Sequence, residues 1–249
     1  MTNNISIAII GYGRMGREIE KAAIAKGYEI VARIDPIVTG EDFDSPALSK
    51  ADVAIEFTTP EVAVNNYFKC FELNIPVVSG TTGWLDEWEK VKARCEAEGQ
   101  AFFYAPNFSV GVNLFFRLNQ ILAEMMNTQP TYRAEMEEIH HTGKKDAPSG
   151  TAIRLAEDIL VRNDQLAKWE NSASEEKNVL PVISKRIEGV PGTHTVYYKS
   201  AIDDIEIKHT AHSRKGFASG AYQAAKWLHG RKGVFGMEDM LADIFKQSK

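Results

Sequence analysis

Residues 140–151 read HHTGKKDAPSGT, which places two histidines, two lysines and a Ser-Gly-Thr sequence within one short stretch. Imidazole exchanges protons near neutral pH, and lysine supplies a fixed positive charge. Pro148 and Ser149 are helix-start signals, and Ala152, Ile153, Leu155, Ala156, Ile159 and Leu160 give the helix that follows an apolar face. The backbone N–H groups of Gly150 and Thr151, with the Thr151 hydroxyl, then form an anion site at that helix N-terminus. His140, His141, Lys144 and Lys145 lie in the loop over it. The chemistry these residue types can do is to hold a small anion and hand it a proton. The plainer alternative is a solvated loop with incidental charge, in which Asp146 simply pairs a lysine. A metal site is not expected. His194, His209 and His212 lie in the same half, but no carboxylate–histidine spacing matches a metal motif. Neighbours such as His140 and His141 on a strand point to opposite faces.

A second constellation lies near the start. ISIAIIGYGRMG, residues 5–16, joins a β-branched apolar run to a glycine turn, and REIEKAAIAKG continues as an amphipathic helix ending at Gly27. Gly11, Gly13 and Gly16 fit G-x-G-x-x-G. The first glycine permits the turn, the second lets a pyrophosphate approach, and the third lets helix and strand pack closely. A second strand, EIVARID, ends in Asp35, where a carboxylate can grip ribose hydroxyls. The alternative is a glycine turn without a ligand; the strand–turn–helix context and Asp35 favour a dinucleotide site.

These sites need elements to position them. ADVAIEFTT, IPVVSGTTG and AFFYAPNFS read as buried strands ending in small or polar residues, with helices between them around 61–73 and 86–98. Such alternation implies a doubly wound parallel sheet, whose ligands sit beyond the carboxyl ends of the strands. That places Thr58, Thr59, Gly80, Thr81, Thr82 and Asn107 along one crevice. After Asn107 comes a long apolar-periodic helix, VGVNLFFRLNQILAEMM. The extended runs TYRAEMEEIHH, LPVISKRI, HTVYYKS and DDIEIKHTAH follow, interrupted by the helix IRLAEDIL. The expected fold class is α/β: a Rossmann-type doubly wound parallel sheet plus an α+β domain with a mixed sheet. Residues 163–178 read as a polar surface connection, and the segment from Gly216 onward as helical, returning to the first domain. The expected domains are 1–108, 109–215 and 216–249, with hinges near Asn107–Ser109 and Arg214–Gly216.

The 249 residues suffice for a real core, and 44% hydrophobic with 25% charged residues is ordinary for a globular protein. A net charge of −5 argues against nucleic-acid binding, which needs a basic face. The opening MTNNIS has no basic-then-apolar signal pattern, and no apolar run approaches the ~18 residues of a membrane helix. Cys70 and Cys95, in no C-x-x-C arrangement, make neither a disulfide framework nor a zinc ribbon. Cytoplasmic residence without membrane association is the expectation.

HHTGKKDAPSGTA resembles the signature of the dihydrodipicolinate reductase family (now 4-hydroxy-tetrahydrodipicolinate reductases) of lysine and diaminopimelate biosynthesis. IAIIGYGRMGR, EFTTP, GTTG, APNFSVGVNL and HSRKGFASGA extend the resemblance along nearly the whole chain. It implies a two-domain, homotetrameric enzyme that reduces a cyclic dicarboxylate with NADH or NADPH. Water leaves the 4-hydroxy ring, hydride reaches the resulting unsaturated carbon, and a proton completes tetrahydrodipicolinate. The second domain would then bind substrate and mediate oligomerisation.

By the same resemblance, His140 is the proton donor, Lys144 the catalytic lysine and His141 a substrate contact, while Gly150 and Thr151 bind a substrate carboxylate. Lys145 falls at a variable position and is not assigned. Gly11, Tyr12, Gly13, Arg14, Met15 and Asp35 match the dinucleotide site. Gly80, Thr81 and Thr82 match the nicotinamide-side loop, and Ala105, Pro106, Asn107 and Phe108 the last cofactor segment. One departure concerns cofactor choice. Pro36 stands where members with a strong NADPH contact often carry a basic residue after the ribose carboxylate, which favours NADH, although Arg14 and Arg33 lie near enough to meet a 2′-phosphate. The competing functions are another small-acid or amino-acid dehydrogenase on the same fold, which would lack the HHxxKxDAPSGT block, and a non-enzymatic NADH-sensing regulator, which would favour a DNA-binding element or basic patch.

Overall fold

The computed structural model describes residues 5–213 and 215–247. The chain divides into two compact units, Met1–Val110 with Lys215–Lys249, and Gly111–Arg214. Arg214, one of the expected hinge positions, lies outside the described residues.

The first unit begins with β1 (Ser6–Ile10), α1 (Arg14–Ile24), β2 (Glu29–Ile34), β3 (Val53–Glu56) and α2 (Pro60–Glu72). It continues through β4 (Val77–Ser79), α3 (Trp88–Ala97) and β5 (Ala101–Tyr104). The strands are short runs of buried apolar residues because both faces of the sheet are covered; Val53–Ile55 and Val77–Val78 are wholly buried. Gly11 and Gly16 do the structural work their spacing predicts. Gly11 has φ +88°, and a Cβ there would lie 2.1 Å from the Phe57 carbonyl oxygen. A Cβ on Gly16 would lie 2.3 Å from the Gly11 carbonyl oxygen, so only glycine lets α1 sit this close to β1.

The second unit contains α4 (Val110–Asn127), β6 (Arg133–His140), α5 (Gly150–Leu160), β7 (Lys168–Glu170), β8 (Val179–Arg186), β9 (Gly192–Lys199) and β10 (Asp204–Ala211). Among the described residues its sheet runs β10-β9-β6-β8-β7. It is mixed: β6 pairs antiparallel with β9 and parallel with β8. Burial along β6 alternates, with Ala134, Met136, Glu138 and His140 all on the covered face. Ala134 and Met136 pack with Leu155, Ala156 and Ile159 of α5 and Phe115, Phe116 and Ala123 of α4. The polar stretch 163–178 is not only a connection. It contains β7, which pairs parallel with β8 and which a three-residue KWE pattern is too short to announce.

The chain then returns to the first unit with α6 (Lys215–Leu228), β11 (Gly233–Phe235) and α7 (Met237–Gln247). The expectation of an all-helical ending is corrected by β11, which pairs parallel with β5 and extends the first sheet to the order β11-β5-β4-β3-β1-β2. Its Gly-Val-Phe is too brief to show a period. Ala218, Ala221, Ala224, Ala225 and Leu228 of α6 lie in the same core as Ile7, Ile9 and Phe103. The strand order reverses across β1, between β2 and β3, which in doubly wound sheets opens a crevice at the carboxyl ends.

Candidate active site: a dinucleotide crevice and a buried carboxylate–histidine cluster

In the first unit, the turn after β1 lies beside the ends of β2 and β3. Gly11 N–H donates to Ile34 O at 2.9 Å, and Phe57 N–H donates to Ile10 O at 2.8 Å. A cavity of about 640 Å³ opens there, bounded by Gly11, Gly13, Asp35, Pro36, Phe43 and Thr58. That volume suits a small-molecule ligand. A Cβ on Gly13 would meet nothing within 4 Å, so the turn presents bare backbone to open space at the start of α1, as a bound pyrophosphate needs. Asp35 is held by three backbone N–H groups. Its Oδ2 accepts from Tyr12 N–H at 2.9 Å, and its Oδ1 accepts from Ile37 and Val38 N–H at 3.2 and 3.0 Å. Arg14 is exposed and Met15 packs against the core. Arg33 is committed elsewhere: its Nε donates to Glu20 Oε1 at 2.8 Å, and its guanidinium forms an ion pair with the same carboxylate.

The other expected crevice residues divide into two kinds. Thr82 and Pro106 are exposed, and Asn107 accepts from Ser109 N–H at 2.9 Å, shaping its own turn. Thr81 and Phe108 face inward. Phe108 is buried against Phe57 and Phe103, and Ala105 is buried beside it in the same core. Thr81 donates its hydroxyl to Glu56 Oε1 at 3.0 Å and accepts from Thr58 N–H at 2.8 Å. A Cβ on Gly80 would strike the Phe57 ring at 2.2 Å, so this glycine is required by packing. Glu56, missed by the sequence reading, ties the strand ends together. Ser79 Oγ donates to its Oε2 at 2.7 Å, and Thr58 N–H donates to its Oε1 at 3.1 Å. Burial pushes its carboxyl above the usual range, against the lowering effect of these hydrogen bonds.

In the second unit, Ser149 caps α5, its Oγ accepting from Ala152 N–H at 3.2 Å. Gly150 is exposed and Thr151 half-buried at the first turn, as an anion site requires. Lys144 Nζ donates to Asp146 at 2.8 and 2.9 Å, so the lysine pairing expected of a plain solvated loop is present. Lys145 is exposed, and His141 half-buried. His140 is buried, with its ring centroid 5.1 Å from that of His194. A Cβ on Gly192 would lie 3.0 Å from His140 Nε2, so the ring packs close to the Gly192 backbone, where a side chain would crowd it.

The sheet register adds three residues. Glu138 stands opposite His194 on β9, and His140 opposite Arg186 on β8. His140 Nδ1 is 3.0 Å from Glu138 Oε2, and His194 Nε2 is 3.1 Å from Ser149 Oγ. Arg186 lies 3.3 Å from Glu138 Oε1. Burial first, and His140 second, depress His194 to about 3, so it is neutral at physiological pH. Burial alone would raise Glu138, but its contacts with His140 and Ser149 outweigh it and hold the carboxyl well below the usual range. Glu138, His140 and His194 bring ligand-type atoms within 4.8 Å of one another, a grouping the reading of linear spacing did not anticipate. Arg186 already faces that carboxylate with a positive charge. The charge balance therefore suits a proton-handling cluster better than a metal.

A doubly wound sheet with a glycine turn and a ribose-type carboxylate at its switch point, followed by a mixed-sheet unit, defines a Rossmann-type NAD(P)-binding oxidoreductase. Comparison with known proteins narrows the class. The chain belongs to the dihydrodipicolinate reductase family: the family's N-terminal model matches residues 5–108 and its C-terminal model residues 111–241. A 4-hydroxy-tetrahydrodipicolinate reductase of Christiangramia forsetii is 49% identical over 97% of this chain and 100% of its own length. One from Archaeoglobus fulgidus is 37% identical over 92% of this chain and 96% of its own. The fold matches a dipicolinate-bound dihydrodipicolinate reductase from Paenisporosarcina sp. TG-14, with TM-score 0.79 and 24% identity, over 95% of this chain and 99% of that one.

Proposed function

We infer that this protein reduces 4-hydroxy-tetrahydrodipicolinate to tetrahydrodipicolinate with NAD(P)H, in lysine and diaminopimelate biosynthesis. The observation that carries the reading is the full-length match to reductases of that name, at 49% identity for one relative. The site chemistry supports it. The substrate carries two carboxylates, and the start of α5 offers the N–H groups of Gly150 and Thr151, with the Thr151 hydroxyl, to one of them. When bound, the nicotinamide cofactor supplies the hydride. His140 gives the proton, with Nε2 the ring nitrogen that does not face Glu138. Lys144 supplies positive charge to the developing anion, exchanging Asp146 for substrate. His141, half-buried at the end of β6, contacts the same ligand.

Gly11, Tyr12, Gly13, Arg14, Met15 and Asp35 hold the pyrophosphate and adenosine ribose. Gly80, Thr81, Thr82 and Ala105 through Phe108 line the nicotinamide side. Thr81 and Phe108 act there through backbone and shape, since their side chains are spent on packing. NADH is the preferred cofactor. Asp35 accepts from ribose hydroxyls and repels a 2′-phosphate, Pro36 adds no cation, and Arg33 is held by Glu20.

The second unit, Gly111–Arg214, serves substrate binding and assembly into a homotetramer. Leu114, Leu118, Ile121 and Met125 form an exposed apolar stripe along α4, at the i, i+4, i+7, i+11 spacing of one helix face. Light scattering on the purified protein measures the assembly. No helix among the described residues is long and apolar enough to cross a membrane, and residence in the cytoplasm fits a biosynthetic reductase. The deciding experiment couples the aldolase that makes the substrate to this protein and follows NADH oxidation. Oxidation that depends on both proteins supports the reading, and none at saturating substrate overturns it.

A further inference from the structure

We propose that Glu138 is a positioning residue for the reductase reaction: its buried carboxylate fixes, as one assembly, the His140 imidazole, the start of α5 and, through Arg186, the loop carrying Lys144. The inference rests on the reading of His140 as proton donor. Glu138 is fully buried in the sheet, an expensive place for a charge unless each oxygen has partners. The partners are distributed by function. Oε1 accepts from the backbone N–H of Ser149, the cap of α5, at 3.1 Å and faces the Arg186 guanidinium at 3.3 Å. Oε2 faces His140 Nδ1 at 3.0 Å and His194 Nε2 at 3.8 Å.

Arg186 extends the reach of the carboxylate. Its Nη2 donates to Asp146 O at 2.6 Å and its Nε to Lys144 O at 3.4 Å, so one guanidinium joins Glu138 to both ends of the Lys144–Asp146 turn. The result is a chain of contacts from proton donor to carboxylate-binding helix to catalytic lysine, in which the Glu138 carboxylate meets His140, Ser149 and Arg186.

The geometry also sets the tautomer of His140. An ionised carboxylate beside Nδ1 keeps a proton there, which leaves Nε2, on the Gly192 side, as the atom that delivers its proton to substrate. After that transfer the ring is neutral, with Nδ1–H still facing Glu138. This is the orienting role a buried carboxylate plays toward a catalytic histidine elsewhere. The Nδ1–H does not point along the line to Oε2 in this structure, and catalytic hydrogen bonds commonly tighten only with substrate in place.

Linear spacing does hint at the pairing, because Glu138 and His140 are two apart on a strand and share a face. The partners His194 and Arg186 come only from register.

The test compares Glu138→Gln, Glu138→Asp, His140→Ala and the double variant Glu138→Gln/His140→Ala in steady-state kinetics, with NADH affinity measured separately. Glu138→Gln is expected to lower kcat by about 10- to 100-fold, the scale typical of groups that orient a functional histidine, with NADH affinity unchanged. Glu138→Asp, which keeps the charge, recovers part of that loss. The double variant loses less than the two single losses combined, because part of the effect of Glu138 runs through His140; a role unconnected with His140 would add its full loss to that of His140. Wild-type kcat in Glu138→Gln beside an impaired His140→Ala overturns the positioning role and leaves the proton donor standing, as do additive losses in the double variant. Wild-type kcat in His140→Ala overturns the proton-donor reading and the proposal with it. If Glu138→Gln does not fold, Arg186→Met carries the test: a kcat-selective loss with intact NADH affinity supports the assembly, and wild-type kcat overturns it.

Discussion

The backbone N–H of Tyr12 donates to Oδ2 of Asp35 at 2.9 Å, so the glycine turn after β1 and the carboxylate after β2 form one corner of the cofactor crevice. Two further backbone N–H groups, of Ile37 and Val38, hold Oδ1. The carboxylate is therefore held in one orientation, as the proposed contact with an adenosine ribose needs.

The proposed cofactor choice rests on that corner. A net penalty of about 1 kcal/mol against the 2′-phosphate corresponds to about fivefold preference for NADH in kcat/KM. Asp35→Asn keeps an acceptor for Ile37 and Val38, loses the one for Tyr12 and removes the charge, and should narrow the preference. The comparison is kcat/KM for both cofactors at two salt concentrations. An NADPH preference that weakens with salt would move the decisive contact to Arg14.

His140→Ala should lower kcat by about 10²- to 10⁴-fold, the usual contribution of general acid catalysis. Lys144→Ala should also lower kcat, through lost charge at the anion. NADH dissociation constants of both variants, read by fluorescence, should match the wild type. Wild-type turnover in both would remove these residues from the chemistry.

Thr151→Val keeps the shape of the side chain and removes its hydroxyl at the first turn of α5. The substrate KM should rise more than kcat falls. A KM that stays where it was would take Thr151 out of carboxylate binding.

How much of this was legible in the linear sequence depends on how local each feature is. The glycine turn, Asp35 and the cap at Ser149 each specify their own few residues, and all stand where the spacing puts them. Glu138, His194 and Arg186 meet only because β6 lies between β8 and β9 in one register. A one-residue slip would turn every side chain of β6 to the other face, and no window along the chain encodes that. Likewise β7 and β11 exist because neighbouring strands offer open edges, their three residues having no period of their own. Motif matching also assigned Thr81 and Phe108 to the crevice without distinguishing side chain from backbone, and tertiary packing claims both side chains.

Glu56 gives the pH prediction. Its folded carboxyl titrates above the ordinary 4.5 because of burial. A carboxyl raised in the folded state favours folding at low pH, and that advantage is lost as pH rises from about 4.5 through the folded value. In Glu56→Gln the amide oxygen can accept from Thr58 and the NH₂ can donate to Ser79 Oγ, so the site stays satisfied without a charge. The difference in Tm between variant and wild type should therefore shift in favour of the variant as pH rises from 5 to about 8. A difference that does not change with pH would show that Glu56 does not titrate with folding.

Gly220 lies in α6, where a Cβ would come within 1.7 Å of the Phe108 carbonyl oxygen, a backbone atom with no freedom to yield. Gly220→Ala should cost about 1–3 kcal/mol or more, typical of overpacking. Denaturant titration measures it; a loss below about 0.5 kcal/mol would show that α6 moves aside at little cost.

The ending of the chain has a consequence for synthesis. The core around Ile7, Ile9 and Phe103 is completed by Ala218, Ala221, Tyr222, Leu228, Met237 and Met240, and the edge of its sheet by β11. The segment Gly111–Arg214 is contiguous and has a core of its own, so its folding draws on no element of the other unit. The dinucleotide-binding unit is not contiguous. Its first strands leave the ribosome early and wait, with an apolar face uncovered, for α6 to arrive. The inserted unit holds all it needs to close within one continuous stretch, whereas its host cannot close until the chain beyond the insertion is present.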